Sequence, residues 1–413
     1  VTAQSNTTPS EVDAPKARRS SRLTIVTDSE LQTFRSCPQL HHFKYRERLR
    51  PKVSAKPLAV GSIFHAGMRD GLLAGWHREA VRLPTGERVK LQIEMATRGI
   101  DGLVGRWAKE IVENTEESSL NFDALAEEVD QTAAMVKWML THYFRQSAGD
   151  LTNLVLVEAE MPFEVAMLDR RGRPVPHLRY TGVRDAVYYD PGYNQLVLDE
   201  HKTTGGDPRT IERRVEMDTQ AAGYLHALRE ELKTLTGVGR SPAITSRAAD
   251  VGVGRVRYNA LRKALPRTPN VNKDGSVSVA ACITTLELYE AALHEQVQVR
   301  RIPVSAKQSE FLENLRNAGD RFFARVEWHR SDEDIERWRS DTFVDASRIR
   351  EAERNPAHRT RNPGHCNMAW SLPCSYRQIC LDPGAPELRA QFRVIEDVHS
   401  EVRAAEVEVD AAV

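Results

Sequence analysis

Apolar positions along the chain follow two periods in succession. From about residue 86 to 147 they recur every three to four residues, through Trp107, Ile111, Leu125, Val136, Met139 and Tyr143, which predicts two long helices. Beyond Leu154 the period falls to two. Strands are expected at LVLVEAEMPFEV from Leu154, HLRYTGVRDAVYY from His177 and QLVLDEHKT from Gln195, with turn residues Asp190-Pro-Gly-Tyr-Asn194 between the last two. Further strands are expected from Gly252 (GVGRVRYN) and Phe322 (FFARVEW). Helices are expected at Leu58 to Trp76, 213–233, 284–298, 307–319 and 332–354. Near the start, Thr27-Asp28-Ser29 offers N-cap residues for a short helix through Glu30-LQTFRS. Segment 266–280 reads as an exposed loop or hairpin, and no internal repeat is visible. A strand core flanked by helices and preceded by a helical segment is a mixed α/β layered arrangement.

The division that follows is a disordered polar tail over 1–22, a helical region over 23–150, a core over 151–330, a helix and cysteine-bearing segment over 331–385, and a charged helical tail over 386–413. At 413 residues the chain is long enough for two or three cores. Basic and acidic residues balance at 58 each, which excludes a generally basic nucleic-acid glue but not a local basic groove. The longest apolar runs fall short of a membrane span, and the polar N-terminal stretch has no hydrophobic signal core. A reducing cytoplasm is therefore expected, where disulfides are not. The pattern G-x-x-x-x-G-K-[ST] is missing, so no helicase motor is expected within the chain.

Only 12 of the 58 cations are lysines, and Lys202 is the one lysine between Lys137 and Lys233. It follows Glu200 at i+2, so the two side chains leave one face of a strand while Asp199 and His201 leave the other. Folding back at the Asp190–Asn194 turn sets Asp185 opposite a residue from 198 to 200. A partner at 198 or 200 puts Asp185 on the face of Glu200 and Lys202; a partner at 199 does not. Two carboxylates and an ammonium on one surface suit phosphodiester hydrolysis, because carboxylates bind hard cations such as Mg²⁺ or Mn²⁺ and an ammonium can stabilise developing charge.

In order along the chain, these residues resemble the PD-(D/E)XK nuclease superfamily, in its RecB-like exonuclease branch, from about Ser29 to Cys380. That branch includes the nuclease domains of RecB and AddB and the CRISPR-associated RecB-like exonucleases. Gly61-SIFHAG is similar to the Gly…His element, which implies His65 as a metal ligand. Gly182-VRDA resembles Gly-x-x-Asp and implies Asp185 as a ligand. Leu198-DEHKTT resembles the (D/E)-x-K motif, implying Glu200 as ligand, Lys202 as catalytic lysine and the His201 backbone carbonyl as a completing ligand. Gln220-AAGY resembles the Gln…Tyr element, placing Gln220 and Tyr224 beside the site. Glu158 or Glu160 is a further acidic candidate, with ordinary strand polarity as the alternative. The resemblance implies a restriction-endonuclease-like mixed sheet flanked by helices, with residues 151–330 as its nuclease core.

With disulfides excluded, metal or cluster ligation is the reading left for the cysteines. Glu30-LQTFRSCP resembles the lead-in to the first cysteine of the iron–sulfur members of this branch, and Pro373-CSYRQIC resembles their last pair. This implies a 4Fe–4S cluster on Cys37, Cys366, Cys374 and Cys380, with Zn²⁺ as the alternative occupant, joining the two ends of the fold. Seven residues separate Cys366 from Cys374, where the family usually has two. Cys282 is read as an unligated thiol. The aromatic and basic stretch His41-HFKYRER is expected either in a strand channel with 86–147 or packed against the cluster. The function implied is a Mg²⁺- or Mn²⁺-dependent DNA exonuclease in recombination, repair or phage DNA processing, with DNA as partner and room for a helicase or a single-strand annealing protein. The alternatives are a structure-specific endonuclease and a non-catalytic DNA-binding assembly subunit.

Overall fold

The computed structural model describes residues 24–53, 55–115, 120–234, 251–280, 283–366 and 373–399. The expected disordered tail over 1–22, the connection at 236–250, Cys282 and residues 400–413 lie outside them. Among the described residues no helix is long and apolar enough to cross a membrane.

A six-stranded mixed sheet organises the core. Its strands are β1 (Thr24–Val26), β3 (Val155–Leu168), β4 (Pro174–Asp190), β5 (Gln195–Thr204), β6 (Gly252–Arg262) and β7 (Phe323–His329). The order is β1-β4-β5-β6-β7, with β3 along the other edge of β4. The β3–β4, β4–β5 and β6–β7 pairs are antiparallel, while β1–β4 and β5–β6 are parallel. Within these pairings β3 has one neighbour, so Pro162 sits in a strand whose outer backbone needs no ladder donor.

The alternating apolar positions bury both sheet faces. Leu196 and Leu198 of β5 join a core shared with α6 (Thr219–Thr234) and α9 (Asp332–Arg354), while Val197 joins a second core on the opposite face. That second core is closed by α2 (Lys56–Trp76), α3 (Thr85–Arg98), α4 (Ile100–Asn114) and α5 (Phe122–Gln146). The expected pair of helices over 86–147 is therefore three: α3 stops at its C-cap Gly99, and a second break precedes the Asn121 N-cap. Similarly, the helix expected over 213–233 is a single turn, Glu212–Val215, followed by α6. Between β6 and β7, α7 (Leu286–Gln298) and α8 (Ala306–Ala318) pack on a small core of their own with Val277, which is bridged to Val271 across the expected 266–280 hairpin.

At the N-terminal side, α1 (Asp28–Ser36) starts at the Thr27 N-cap, whose hydroxyl accepts from Glu30 N at 3.2 Å. The tail expected as helix instead holds one turn, Pro386–Arg389, and then β8 (Phe392–Val394), which pairs with β2 (Leu49–Pro51). Phe43, Leu49, Tyr376 and Ile379 form the small core under this pair.

Candidate active site

The outer edge of β4 is divided between two neighbours. β1 takes residues 178–180 and β5 takes residues 186–190, leaving 181–185 without a strand on that side among the described residues. The β4–β5 ladder ends at Ala186 opposite Asp199, so the next step sets Asp185 against Glu200, and the open question of register falls on the productive side. Where the strands part, the Asp185 carboxylate accepts the His201 backbone N–H at 2.6 Å, replacing the lost ladder bond.

The faces of the sheet also invert here. Leu178 and Tyr180 face the α6/α9 core, but beyond the site Val187 and Tyr189 do, with Ala186 and Tyr188 turned to the helical core. Glu160, across β3 from Asp185, takes φ 47, a left-handed conformation that is uncommon for a residue with a side chain. The two distortions let Glu160 and Asp185 meet His65 of α2. His65 Nδ1 lies 3.0 Å from Glu160 Oε1 and 3.5 Å from Asp185 Oδ1, and the three groups offer ligand atoms within 4.8 Å of one another. Of the two extra acids considered, Glu160 thus joins the cluster. Glu158 instead binds the fully buried Arg184 at 2.7 Å, which also pairs with Glu231 at 2.8 Å.

Glu200 Oε1 accepts from Lys202 Nζ at 2.6 Å, and Lys202 Nζ also donates to Gln220 Oε1 at 2.8 Å. Gln220 Nε2 in turn donates to the Tyr224 hydroxyl at 2.9 Å, so the i, i+4 pair of α6 continues the line from the strand. His201 turns its ring to the other face, where Nε2 lies 3.2 Å from the Tyr143 hydroxyl. All seven residues singled out for the site, His65, Asp185, Glu200, His201, Lys202, Gln220 and Tyr224, line one cavity of about 740 Å³.

Four carboxylates, Asp28, Glu160, Asp185 and Glu200, share this cavity with Arg69, Lys202 and Lys263. Burial raises the Asp185 and Glu200 carboxyls above the usual carboxylate range; the negative charges beside them, Glu160 for Asp185 and Asp185 for Glu200, add to the rise. His65, which burial alone would lower, is pushed up to about 9 by Asp185 and by its hydrogen bond to Glu160. Glu200 Oε2 is buried with no hydrogen-bond partner among the described residues. A carboxylate oxygen left so, beside a cluster of two carboxylates and an imidazole, fits a hard divalent cation held by oxygen and nitrogen donors.

Two acids near the site carry no assignment from the sequence. Asp28 lines the cavity from the first turn of α1, and burial, with Asp218 adding, pushes its carboxyl up to about 6. Asp28 was legible as an N-cap candidate and no more. Asp218, whose charge helps hold Lys202 protonated after Glu200, stands in the break before α6 and carried no motif signal.

Gly182 is needed for packing. A Cβ there would lie 2.9 Å from the Phe163 ring and 3.0 Å from the Tyr224 ring. Gly182→Ala is expected to displace Tyr224, lowering stability by about 1–3 kcal/mol in denaturant titration and cleavage with it.

The four cysteines named for the cluster converge at the opposite end of α1. Asn362 Nδ2 donates to Ser36 O at 2.7 Å, Gln39 N to Thr360 O at 3.2 Å, and Cys374 N to Cys366 O at 3.1 Å, which draws the inserted loop's first cysteine into the group. The Cys374 thiol is raised by burial and by the other three thiols, and Cys380 by burial and by Cys37 and Cys366, so all four lie within electrostatic reach. The stretch at His41 packs against this end: Phe43 stacks on Tyr376, and His41 is held by Glu30 at 2.8 Å.

Compared with known proteins, residues 26–381 match the sequence profile of the PD-(D/E)XK nuclease superfamily. No curated protein matches the chain at a significant level.

Proposed function

The chain belongs to the PD-(D/E)XK nuclease superfamily, and from that premise we propose that it is a metal-dependent DNA exonuclease of the RecB-like branch, acting on single strands or DNA ends in a cytoplasmic setting. The observation that carries this reading is the continuous line Glu200–Lys202–Gln220–Tyr224 beside the His65, Glu160 and Asp185 donors. His65, Glu160, Asp185 and Glu200 would hold Mg²⁺ or Mn²⁺, with the His201 carbonyl as a further ligand. The ion would supply Lewis-acid polarisation of the phosphate and activation of the attacking water. Lys202, kept protonated by Glu200 and Asp218, presents its ammonium to the charge that develops on phosphate. Gln220 fixes the lysine through one hydrogen bond, and Tyr224 fixes Gln220 through the next. Thr27, Asp28 and Ser29 of the α1 end and His65 of α2 wall the cavity on two sides, which suits a strand led in by its end.

The deciding assay is degradation of end-labelled linear and circular DNA, single- and double-stranded, with Mg²⁺ or Mn²⁺. Loss of linear DNA alone, at least about a hundredfold slower in Lys202→Ala, is the expected result. Cutting of circles would make the protein an endonuclease, and binding without cutting would make it an assembly subunit. Branch resemblance supports recombination, repair or phage DNA processing, with a helicase or a single-strand annealing protein as partner.

For the cysteines we propose a 4Fe–4S cluster on Cys37, Cys366, Cys374 and Cys380. Zinc sites favour paired Cys-x₂₋₄-Cys knuckles, which this sequence lacks. One cysteine before the nuclease core and three after it is the order that supports the iron–sulfur reading. Purified anaerobically, the protein is expected to contain iron and acid-labile sulfide in equal amounts. Cys374→Ser and Cys380→Ser should lose both and melt earlier, and zinc in place of iron would overturn the assignment.

A further inference from the structure

Beside the catalytic cavity lies a second one of about 350 Å³. Lys202, Thr203 and Gln220 line both, so the Lys202–Gln220 hydrogen bond is the partition between them. The floor of the second cavity is Tyr258 and Val215, each 1% exposed. Ile211 adds an apolar wall, while Thr210 and Arg214 bring a hydroxyl and a guanidinium. Asp218 lines the same space and disfavours an anion.

An apolar, partly aromatic floor with polar groups around it matches a flat ring whose edges carry donors and acceptors. The volume lies near the lower end of the range of about 300–1,000 Å³ for small-ligand pockets, room for one such ring system and not for a stack. We propose that this cavity takes a single unstacked nucleobase of the substrate strand, the base adjoining the phosphate under attack. The proposal rests on the nuclease reading of the neighbouring site. A nucleotide whose phosphate lies at Lys202 turns its base over the partition into the cavity. A base still paired cannot do so, and the cavity therefore selects single strands or frayed ends.

The test walks one tetrahydrofuran abasic residue along a single-stranded oligonucleotide and measures single-turnover cleavage with Mg²⁺ or Mn²⁺. For wild type, a missing base at one position relative to the cut is expected to slow cleavage about tenfold or more. In Ile211→Trp, which fills the cavity, the ratio between base-bearing and abasic substrates should collapse to about one. Thr210→Trp provides the same obstruction from an exposed position should the first variant fold poorly. Equal wild-type rates on the two substrates, or a ratio unchanged in both variants, would overturn the subsite and leave the nuclease standing.

A second arm needs no cleavage. Single strands carrying one 2-aminopurine are bound in Ca²⁺, and fluorescence should rise at one position as that base leaves its stack, with the rise lost in the tryptophan variants. This signal in a protein that cuts nothing would keep the base subsite and remove the exonuclease reading. No position-specific signal in a protein that binds the strand would remove the subsite.

Discussion

Glu200→Gln is expected to lose metal-dependent cleavage by about a hundred- to a thousandfold and, without divalent cation, to melt at a higher temperature than the wild-type protein. Both effects have one origin. Glu200 is 1% exposed, one of its oxygens has no hydrogen-bond partner among the described residues, and it shares the cavity with Asp185 at the end of the β4–β5 ladder. Burial and the Asp185 charge both raise its carboxyl, which means that the ionised form costs the folded state energy until a cation offsets it. Glutamine keeps the shape and the acceptor for Lys202 while removing the charge. Each kcal/mol so recovered raises the melting temperature by about 1 °C in a chain of this size. Differential scanning calorimetry in EDTA and single-turnover cleavage of the same preparations check the two halves together. A variant that is slow and also less stable in EDTA would mean that Glu200 holds the fold together, contrary to its orphaned oxygen.

The second large effect lies on the opposite face of the same strand. Asp199, wholly buried, receives Arg257 through Nε at 2.6 Å and Nη2 at 2.7 Å, and Asn259 Nδ2 at 2.9 Å. Arg257 continues to Asp150 at 2.9 Å, and Arg325 bridges Asp150 at 2.9 Å and Asn259 at 2.7 Å. This network ties β5, β6 and β7 to the turn before β3 directly behind Glu200. Arg257→Ala is expected to cost about 3–5 kcal/mol, because it strands the Asp199 charge in the interior rather than because the pair is strongly stabilising in itself. Adding Asp199→Asn to that variant should therefore restore part of the loss, read as a rise in the denaturant midpoint. Strictly additive losses in the double variant would show that the two groups act independently.

The residues that carry chemistry were more legible than the geometry that assembles them. Glu200 and Lys202 share a face because a strand has period two, and Gln220 and Tyr224 share one because a helix turn spans about four residues. Neither fact depends on the rest of the chain. Whether Asp185 met Glu200 depended on the length of the turn at 190–194, a tertiary quantity. Glu160 could not be separated from Glu158 in a pattern of alternating positions, because its place at the site comes from a break in that alternation, the backbone at φ 47. Asp28 looked like a helix cap since capping and lining the site use the same first turn of α1. Strands β1, β2 and β8 have three residues each, too few to show a period, and β8 was hidden in a charged segment whose composition suits a helix equally. The break between α3 and α4 falls at a glycine that the helical spacing passes over.

The pairing of β2 with β8 sets a timetable for synthesis. Leu49 accepts the Tyr376 hydroxyl from 327 residues further along, and Phe43 and Leu49 are buried by partners from that same late segment. At about 5–20 residues per second, translation leaves these apolar side chains and the Cys37 thiol uncovered for tens of seconds. The sheet and its flanking helices can fold in that interval, but the end that gathers the four cysteines cannot. Loading of the cluster proposed for these cysteines would follow translation of the last of them, and Cys37 is the thiol that waits longest.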